Sequence, residues 1–172
     1  MENLHRVRVL DEDDGKPLPF KDLHPQVSLM RVKEGSKIRN LVGYALPYMK
    51  SEDTKQIVFS AYGRAVTKAI TCVEILKRQL GGLYQITKVQ YKSLQEVWEP
   101  KGPEIKTPTP SLTVYKNCPS IYILLSKEPL DPQENGYQGP QSFPTREHRK
   151  RRHESLVLPI SDKPCEGTEE EG

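Results

Sequence analysis

The sequence has 172 residues and is 35% hydrophobic, which fits about one domain, and its three widely spaced cysteines indicate neither a disulfide framework nor a zinc site. The formal net charge of +3 is unevenly distributed, because residues 29–126 carry 15 basic and 7 acidic side chains while both ends are net acidic. This basic centre favours a polyanionic partner, and the lack of any apolar run of about 18 residues argues against a membrane span, so we expect a soluble intracellular protein.

The first predicted elements alternate between strand and helix. Residues 29–33 alternate apolar and basic side chains, which predicts a short strand with one buried face. From Ser36, a candidate N-cap, apolar residues recur at helical spacing to about Lys50. Pro47 lies inside this pattern and predicts a kink or a tightened last turn. Residues 56–62 return to period two and predict a strand that is covered on both faces.

A second helix and two further strands follow. Residues 64–80 have a broad apolar arc that includes Ile70, and a polar arc opposite it. Ile75 is the exception, since it projects from the polar arc. Strands are predicted within residues 83–98 and 112–126, and a proline-rich loop joins them.

The element order β-α-β-α-β-β predicts an α/β domain over residues 28–127. Right-handed crossovers and a final hairpin place two helices on one face of a four-stranded mixed sheet. Apolar periodicity is missing on either side of this domain. We therefore expect a flexible N-terminal segment at residues 1–27 and a disordered tail at residues 128–172.

Two motifs within this pattern resemble a known family. Gly63–Ala69 follows a hydrophobic strand and closely resembles the G-R-A-x-x-K-A helix start of Alba proteins. Gly35–Val42 is similar to the loop and first-helix entry of the same family, where basic residues meet the phosphate backbone. The two motifs have the correct separation within the correct element order. The resemblance covers roughly residues 28–127 and implies the Alba fold with a nucleic-acid-binding role.

Two further segments narrow the resemblance. Residues 31–40 and 124–138 look like the larger Alba-type subunit of eukaryotic ribonuclease P and ribonuclease MRP, or its close paralogue. That resemblance implies a heterodimer with a smaller Alba-type subunit, bound to structured ribonuclease P or MRP RNA and acting in tRNA and rRNA processing. It also implies a non-catalytic protein with no cofactor and no small-molecule substrate, because the RNA performs the chemistry. The alternative is a paralogue that pairs with the same partner but binds other RNA or chromatin.

The sequence departs from the family pattern at one position of interest. Archaeal Alba proteins carry a lysine pair just before the first helix, where this chain has Gly35 and Ser36. The positive charge has moved to Lys37 and Arg39. An acetylation switch proposed for the archaeal lysines therefore cannot be transferred to this chain.

The candidate RNA contacts are cations near the two predicted helix starts. Both helices follow strands that should end at the same edge of the sheet, so cations and positive helix-dipole ends would converge there. The alternative is a solvated helix face, but this convergence favours RNA binding. A tyrosine at the strand end could stack on a base or pack against its neighbours. The candidate RNA-binding residues are Lys33, Lys37, Arg39, Tyr62, Arg64 and Lys68.

Other functions are assigned to few residues. Ile75 is the candidate dimer contact, because association would remove an exposed apolar side chain from water, although it could be an ordinary exposed residue. No Ser/His/Asp or paired-carboxylate arrangement can be argued from the sequence, so no catalytic or metal-binding residue is assigned.

A basic run at residues 146–152 lies within an otherwise acidic tail. It could be a nuclear import signal, an additional RNA contact or a solubilising patch, and its compactness favours the first. The nuclear-targeting candidates are Arg146, Arg149, Lys150, Arg151 and Arg152. This interpretation predicts a nuclear or nucleolar protein.

Overall fold

The computed structural model describes residues 4–11, 15–100 and 111–142. Within these ranges, a turn of 3-10 helix, Gly63–Ala65, precedes the second of two α-helices. In chain order the elements are β1 (Leu4–Asp11), β2 (Ser28–Val32), α1 (Ile38–Lys50), β3 (Gln56–Tyr62), α2 (Val66–Leu80), β4 (Tyr84–Pro100), β5 (Leu112–Ser126) and β6 (Tyr137–Gln138). No helix in the described part of the chain is long and apolar enough to cross a membrane.

All the strands belong to one mixed sheet, with the order β1-β4-β5-β3-β2 and with β6 paired to β4. β2 and β3 are parallel, and the other neighbouring strands are antiparallel. The four predicted strands are confirmed as β2, β3, β4 and β5, and the sheet also contains β1 and β6. Residues 4–11, which fall in the segment expected to be flexible, form β1 and pair with the C-terminal half of β4.

The main hydrophobic core lies between the sheet and both helices. Strand residues alternate between the two faces of a sheet, so Ile57 and Phe59 of β3 and Ile123 of β5 point to the same side. The helices cover that side with Ala45 and Met49 of α1 and with Ala69, Cys72, Val73 and Leu76 of α2. Burying one large aliphatic or aromatic side chain contributes about 1.5–3 kcal/mol. The predicted placement of two helices on one face is confirmed.

The opposite side of the sheet, which we call the helix-free face, is covered by residues 15–27 and by the segment after β5, which includes β6. Val58, Ile86 and Leu124 form a smaller cluster on this face. Residues 15–27 cover it with Leu18, Phe20, Leu23 and Val27, and the segment after β5 covers it with Leu130 and Tyr137. The described residues up to Gln141 belong to one compact unit. The expectation of a disordered tail falls mainly on residues 143–172, which lie outside the described ranges.

The ends of α1 differ in part from the prediction. Lys37, rather than Ser36, occupies the N-cap position and makes no side-chain capping bond. The Ser36 hydroxyl instead accepts a hydrogen bond from the backbone N–H of Lys33 at 3.1 Å, so it stabilises the preceding turn. At the other end, the N–H of Ser51 donates to the carbonyl oxygens of Pro47 and Tyr48 at 3.2 and 3.3 Å, which confirms a tightened last turn.

Candidate nucleic-acid interface

The starts of α1 and α2 lie at the same edge of the sheet. β2 and β3 are parallel, and Val32 is paired with Ala61, so both strands end at this edge. The loop at residues 33–37 leads from β2 into α1, and the 3-10 turn leads from β3 into α2. No acidic residue occurs in the first turn of either helix, both of which the structure describes in full. The positive end of each helix dipole is therefore not neutralised from within its own first turn.

Lys68 connects the two helix starts. Its Nζ donates to the backbone carbonyl oxygen of Glu34 and, at 3.0 Å, to that of Ser36. The side chain is half-buried, although it belongs to the polar arc of the helical wheel. An ammonium group has three N–H donors, so one donor remains for an external acceptor after these two bonds. Lys68 therefore holds the loop at residues 33–37 against α2 and can still face a phosphate.

Arg64 is much more exposed than Lys68. Its side chain is 86% accessible, and Nη1 lies 3.3 Å from Oε1 of Glu34, which is itself exposed. An exposed ion pair of this kind contributes about 0–1 kcal/mol. A phosphate could therefore replace the Glu34 carboxylate at little cost, and the planar guanidinium can donate to two phosphate oxygens at once.

The remaining predicted cations are also accessible at this edge. Lys33, Lys37 and Arg39 are exposed; the two lysines lie in the loop that Lys68 holds, and Arg39 lies in the first turn of α1. Together with Arg64 and Lys68 they form what we call the helix-start surface. The described structure thus brings these five sequence-predicted cations to one edge of the sheet, where the positive dipole ends of both helices add to their charge.

Tyr62 lies at the end of β3 and points to the helix-free face. Its side chain is 37% exposed, and Nζ of Lys92 is 4.8 Å from its ring centroid. A cation at this distance interacts favourably with the face of the ring. Tyr62 is thus neither buried among its neighbours nor wholly uncovered, so base stacking remains a prediction.

Sequence reasoning missed three cations that share a cavity with Lys33 and Tyr62. Arg31 could have been found from the alternation in β2, which places it on the same face as Lys33. Lys92 depends on the pairing of β4 with β5, and Lys16 depends on how residues 15–27 cross the sheet. Neither the strand pairing nor the path of residues 15–27 can be read from a local sequence pattern.

The two isoleucines of α2 are placed opposite to expectation. Ile70 was assigned to the buried arc but is 42% exposed, and Ile75 was expected to be exposed but is half-buried. At 3.6 residues per turn, Ile75 lies within about 20° of Lys68 around the helix, on the flank that faces the loop before α1, while Ile70 is about 160° away from Lys68. The helical wheel of α2 showed how wide its apolar arc is, but it could not show which flank of the helix a neighbouring element covers.

α2 and β4 each expose apolar side chains, Ile70 on the helix and Val89 and Tyr91 on the strand. Val89 is paired with Ile121, whose side chain lies in the main core, so Val89 and Tyr91 point to the side of the sheet that carries the helices. They are 71% and 81% exposed. We call Ile70, Val89 and Tyr91 the β4 patch. The nuclear-targeting candidates at residues 146–152 lie outside the described ranges.

Comparison with known proteins gives matches over most of the chain. The family model for Alba matches residues 28–93. The chain is 48% identical over 171 residues to ribonuclease P protein subunit p25 of Rattus norvegicus, with 88% of this chain and 86% of that protein covered. It is 44% identical over 128 residues to ribonuclease P protein subunit p25-like protein of Homo sapiens, with 74% and 77% covered. Among solved structures, Alba from Thermoplasma volcanium aligns with a TM-score of 0.41 and 18% identity, over 58% of this chain and 99% of that chain.

Proposed function

Because this chain belongs to the Alba family and matches ribonuclease P protein subunits over most of its length, we propose that it is an RNA-binding scaffold subunit of a ribonuclease P or MRP ribonucleoprotein. The observation that carries the proposal is the helix-start surface, where five cations and two helix N-termini lie at one edge of the sheet. The chain would hold structured RNA during tRNA 5′ maturation and rRNA processing, in the nucleus and nucleolus. Catalysis would belong to the RNA, and no cofactor is required.

The proposed contacts are mainly with phosphates. Double-stranded RNA presents phosphates and 2′-hydroxyls but hides most base edges in a deep, narrow groove, so this surface would recognise helix shape rather than a long sequence. Arg64 and Arg39 would make the forked contacts, while Lys33, Lys37 and Lys68 would act as point charges. The exposed Arg64–Glu34 pair supports this assignment, because its guanidinium can change partner without disturbing the core.

The proposal includes a heterodimer with a smaller Alba-type subunit. Of the exposed surfaces described above, the β4 patch suits such a partner best, since pairing would remove Ile70, Val89 and Tyr91 from water. Ile75, the sequence-based candidate, is a weaker one because the fold already covers about half of it. A central cluster of apolar and aromatic side chains is typical of the part of an interface that carries most of the binding energy.

A second candidate is a paralogue of the ribonuclease P subunit, since the chain is also similar to p25-like proteins. In that case the chain would pair with the same kind of partner but bind other RNA or chromatin. Sequencing the RNA that copurifies with the tagged protein separates the two functions. Only the first requires ribonuclease P or MRP RNA in stoichiometric amount.

The helix-start surface is tested by the salt dependence of RNA binding. Each phosphate contact releases condensed counterions, so losing one contact should flatten the plot of log affinity against log salt by just under one unit. Replacing both Arg39 and Arg64 by Ala should therefore reduce the slope by nearly two units and lower affinity for structured RNA of many sequences. The double variant Lys50→Ala, Arg78→Ala, at exposed positions in the last turns of α1 and α2, is the matched control. Equal slopes for a folded double variant and wild type would exclude both arginines from the contact surface.

A further inference from the structure

α1 exposes a tyrosine beside the helix-start surface. Tyr44 lies in the second turn of α1 and is 58% exposed. Its ring is stacked on that of Tyr48, with the ring centroids 6.1 Å apart and the ring planes at 13°. The hydroxyl of Tyr48 donates to the backbone carbonyl oxygen of Gln26 at 3.1 Å, which anchors the stack to the segment at residues 15–27. The stack therefore limits the orientation of Tyr44, although more than half of this residue stays in contact with water.

An open hollow of about 400 Å³ adjoins the ring of Tyr44. The hollow is lined by Met30 of β2, by the loop at residues 35–37, and by Asn40, Leu41 and Tyr44 of α1. Tyr48 is not part of the lining, and the other lining residues of α1 precede Tyr44, so the hollow borders the side of the ring that Tyr48 leaves uncovered. Its volume lies in the range of roughly 300–1,000 Å³ that is typical of small-molecule sites. The hollow therefore suits a single nucleotide and is far too small for a duplex.

Polar groups border the aromatic ring in this hollow. Lys37 and Asn40 are exposed there, and in the part of the chain that the structure describes neither side chain forms a hydrogen bond or an ion pair. The ammonium group of Lys37 keeps its three donors, and the amide of Asn40 keeps its donors and its acceptor. None of the lining residues, all of which are described, is acidic. A ring that can stack on a base, an amide that can bond to a base edge and a cation that can contact a phosphate together match a nucleotide.

We propose that this hollow, which we call the Tyr44 site, holds one unpaired nucleotide of the bound RNA, with its base stacked on Tyr44 and its phosphate beside Lys37. This inference rests on the proposed RNA-binding function and adds a site for an unpaired base. Lys37 belongs both to the Tyr44 site and to the helix-start surface, so the two are continuous. A strand that leaves a duplex on the helix-start surface can therefore enter the site. The chain would recognise the junction between an RNA helix and an adjoining unpaired nucleotide.

Two RNA probes separate the Tyr44 site from the helix-start surface. One is a fully paired duplex, and the other is the same duplex with short tracts of unpaired uridines at the ends of both strands. The full-length chain would be measured with each probe as wild type, as Tyr44→Leu, which removes the ring but keeps an apolar side chain, and as Tyr44→Phe, which keeps the ring. The matched control is Tyr115→Leu, which removes an exposed tyrosine ring from β5.

We expect the unpaired uridines to strengthen wild-type binding by about tenfold, which lies within the range typical of stacking one base on an aromatic side chain. Tyr44→Leu should lose this gain. Its affinity for the plain duplex and the salt dependence of that affinity should stay the same, because the variant is folded and no cation has been removed. Tyr44→Phe should keep the gain, since stacking needs the ring and not the hydroxyl. Tyr115→Leu should behave as wild type with both probes.

Photocrosslinking gives a second measurement, which uses the wild-type protein alone. A 4-thiouridine in the unpaired tract should crosslink to residues 40–50, the tryptic peptide that contains Tyr44. Crosslinks only to other peptides, unpaired uridines that add no affinity, a Tyr44→Leu variant that keeps the gain or a Tyr44→Phe variant that loses it would each overturn the assignment and leave duplex binding intact. If wild type bound neither probe, the proposed function itself would fail.

Discussion

Lys68→Ala should destabilise the protein, although a helical wheel places this residue on the solvent side of α2. The substitution removes an ammonium group that donates to the backbone carbonyl oxygens of Glu34 and Ser36. Hydrogen bonds to charged groups contribute about 1.5–3 kcal/mol each, but here the acceptors lie in an accessible loop and water can replace the lost donor. We therefore expect a loss of about 1–2 kcal/mol in the free energy of unfolding. For a domain of this size the melting temperature should fall by about 2–8 °C.

Arg64→Ala provides the comparison, because it removes a cation from the same surface. Its ion pair with Glu34 joins two exposed side chains and contributes less than about 1 kcal/mol, so the melting temperature should hardly change. Thermal unfolding followed by circular dichroism measures both variants under one set of conditions. RNA affinity against salt should then show a flatter slope for Arg64→Ala. Lys68→Ala should lose affinity for two reasons, the missing contact and a loop at residues 33–37 that is no longer held.

Equal melting temperatures for Lys68→Ala and wild type would refute this reasoning. Such a result would mean that the ammonium group does not hold the loop in solution and that Lys68 belongs with the freely solvated cations. Amide hydrogen exchange in residues 33–37 gives an independent check. Exchange there should accelerate in Lys68→Ala and stay unchanged in Arg64→Ala.

Three further predictions concern other parts of the fold. Val89→Glu should prevent coelution with an Alba-type partner without changing the melting temperature. Ile75→Glu should instead lower the melting temperature, because it puts a carboxylate into a half-buried position. Unchanged coelution of Val89→Glu would show that the interface lies elsewhere. Gly136→Ala should speed hydrogen exchange in residues 127–138, since Gly136 has φ +86° and an added Cβ would clash with the Thr87 carbonyl oxygen. The control Gly139→Ala should have no effect. The pKa of Glu134 is lowered mainly by the hydrogen bond that Lys88 donates to its carboxylate. The stability that this hydrogen bond contributes should therefore be present above pH 4.5, the ordinary pKa of the group, and be lost as the pH falls through the lower pKa of the folded state. Urea denaturation across that pH range should show a weaker acid dependence for Glu134→Gln, and identical curves would contradict the assignment.

The order of the central elements follows from the sequence alone, because the periodicity of apolar residues records which side of each element is buried. Alternation in β3 and helical spacing in α2 are local properties, and the sequence predicted both elements correctly. The Gly63–Ala69 and Gly35–Val42 motifs were equally local, so the positions of most candidate cations could be inferred. Residues 6–9 alternate basic and apolar side chains as residues 30–33 do, but the sequence does not show that β4 is the strand with which they pair.

The tertiary structure decided which neighbour covers each exposed or buried side chain. Lys68 became a link between two helix starts, and Ile70 and Ile75 exchanged their expected environments, because α2 has a loop and α1 on one flank and open sheet on the other. The cavity likewise joins Lys16, Arg31 and Lys92, which are far apart in the sequence. They meet only through the register of the sheet and the path of residues 15–27 across it. The periodicity of apolar residues shows how strongly one element is buried. Contacts between residues that are far apart in the sequence depend on how the elements pack together, which no local pattern encodes.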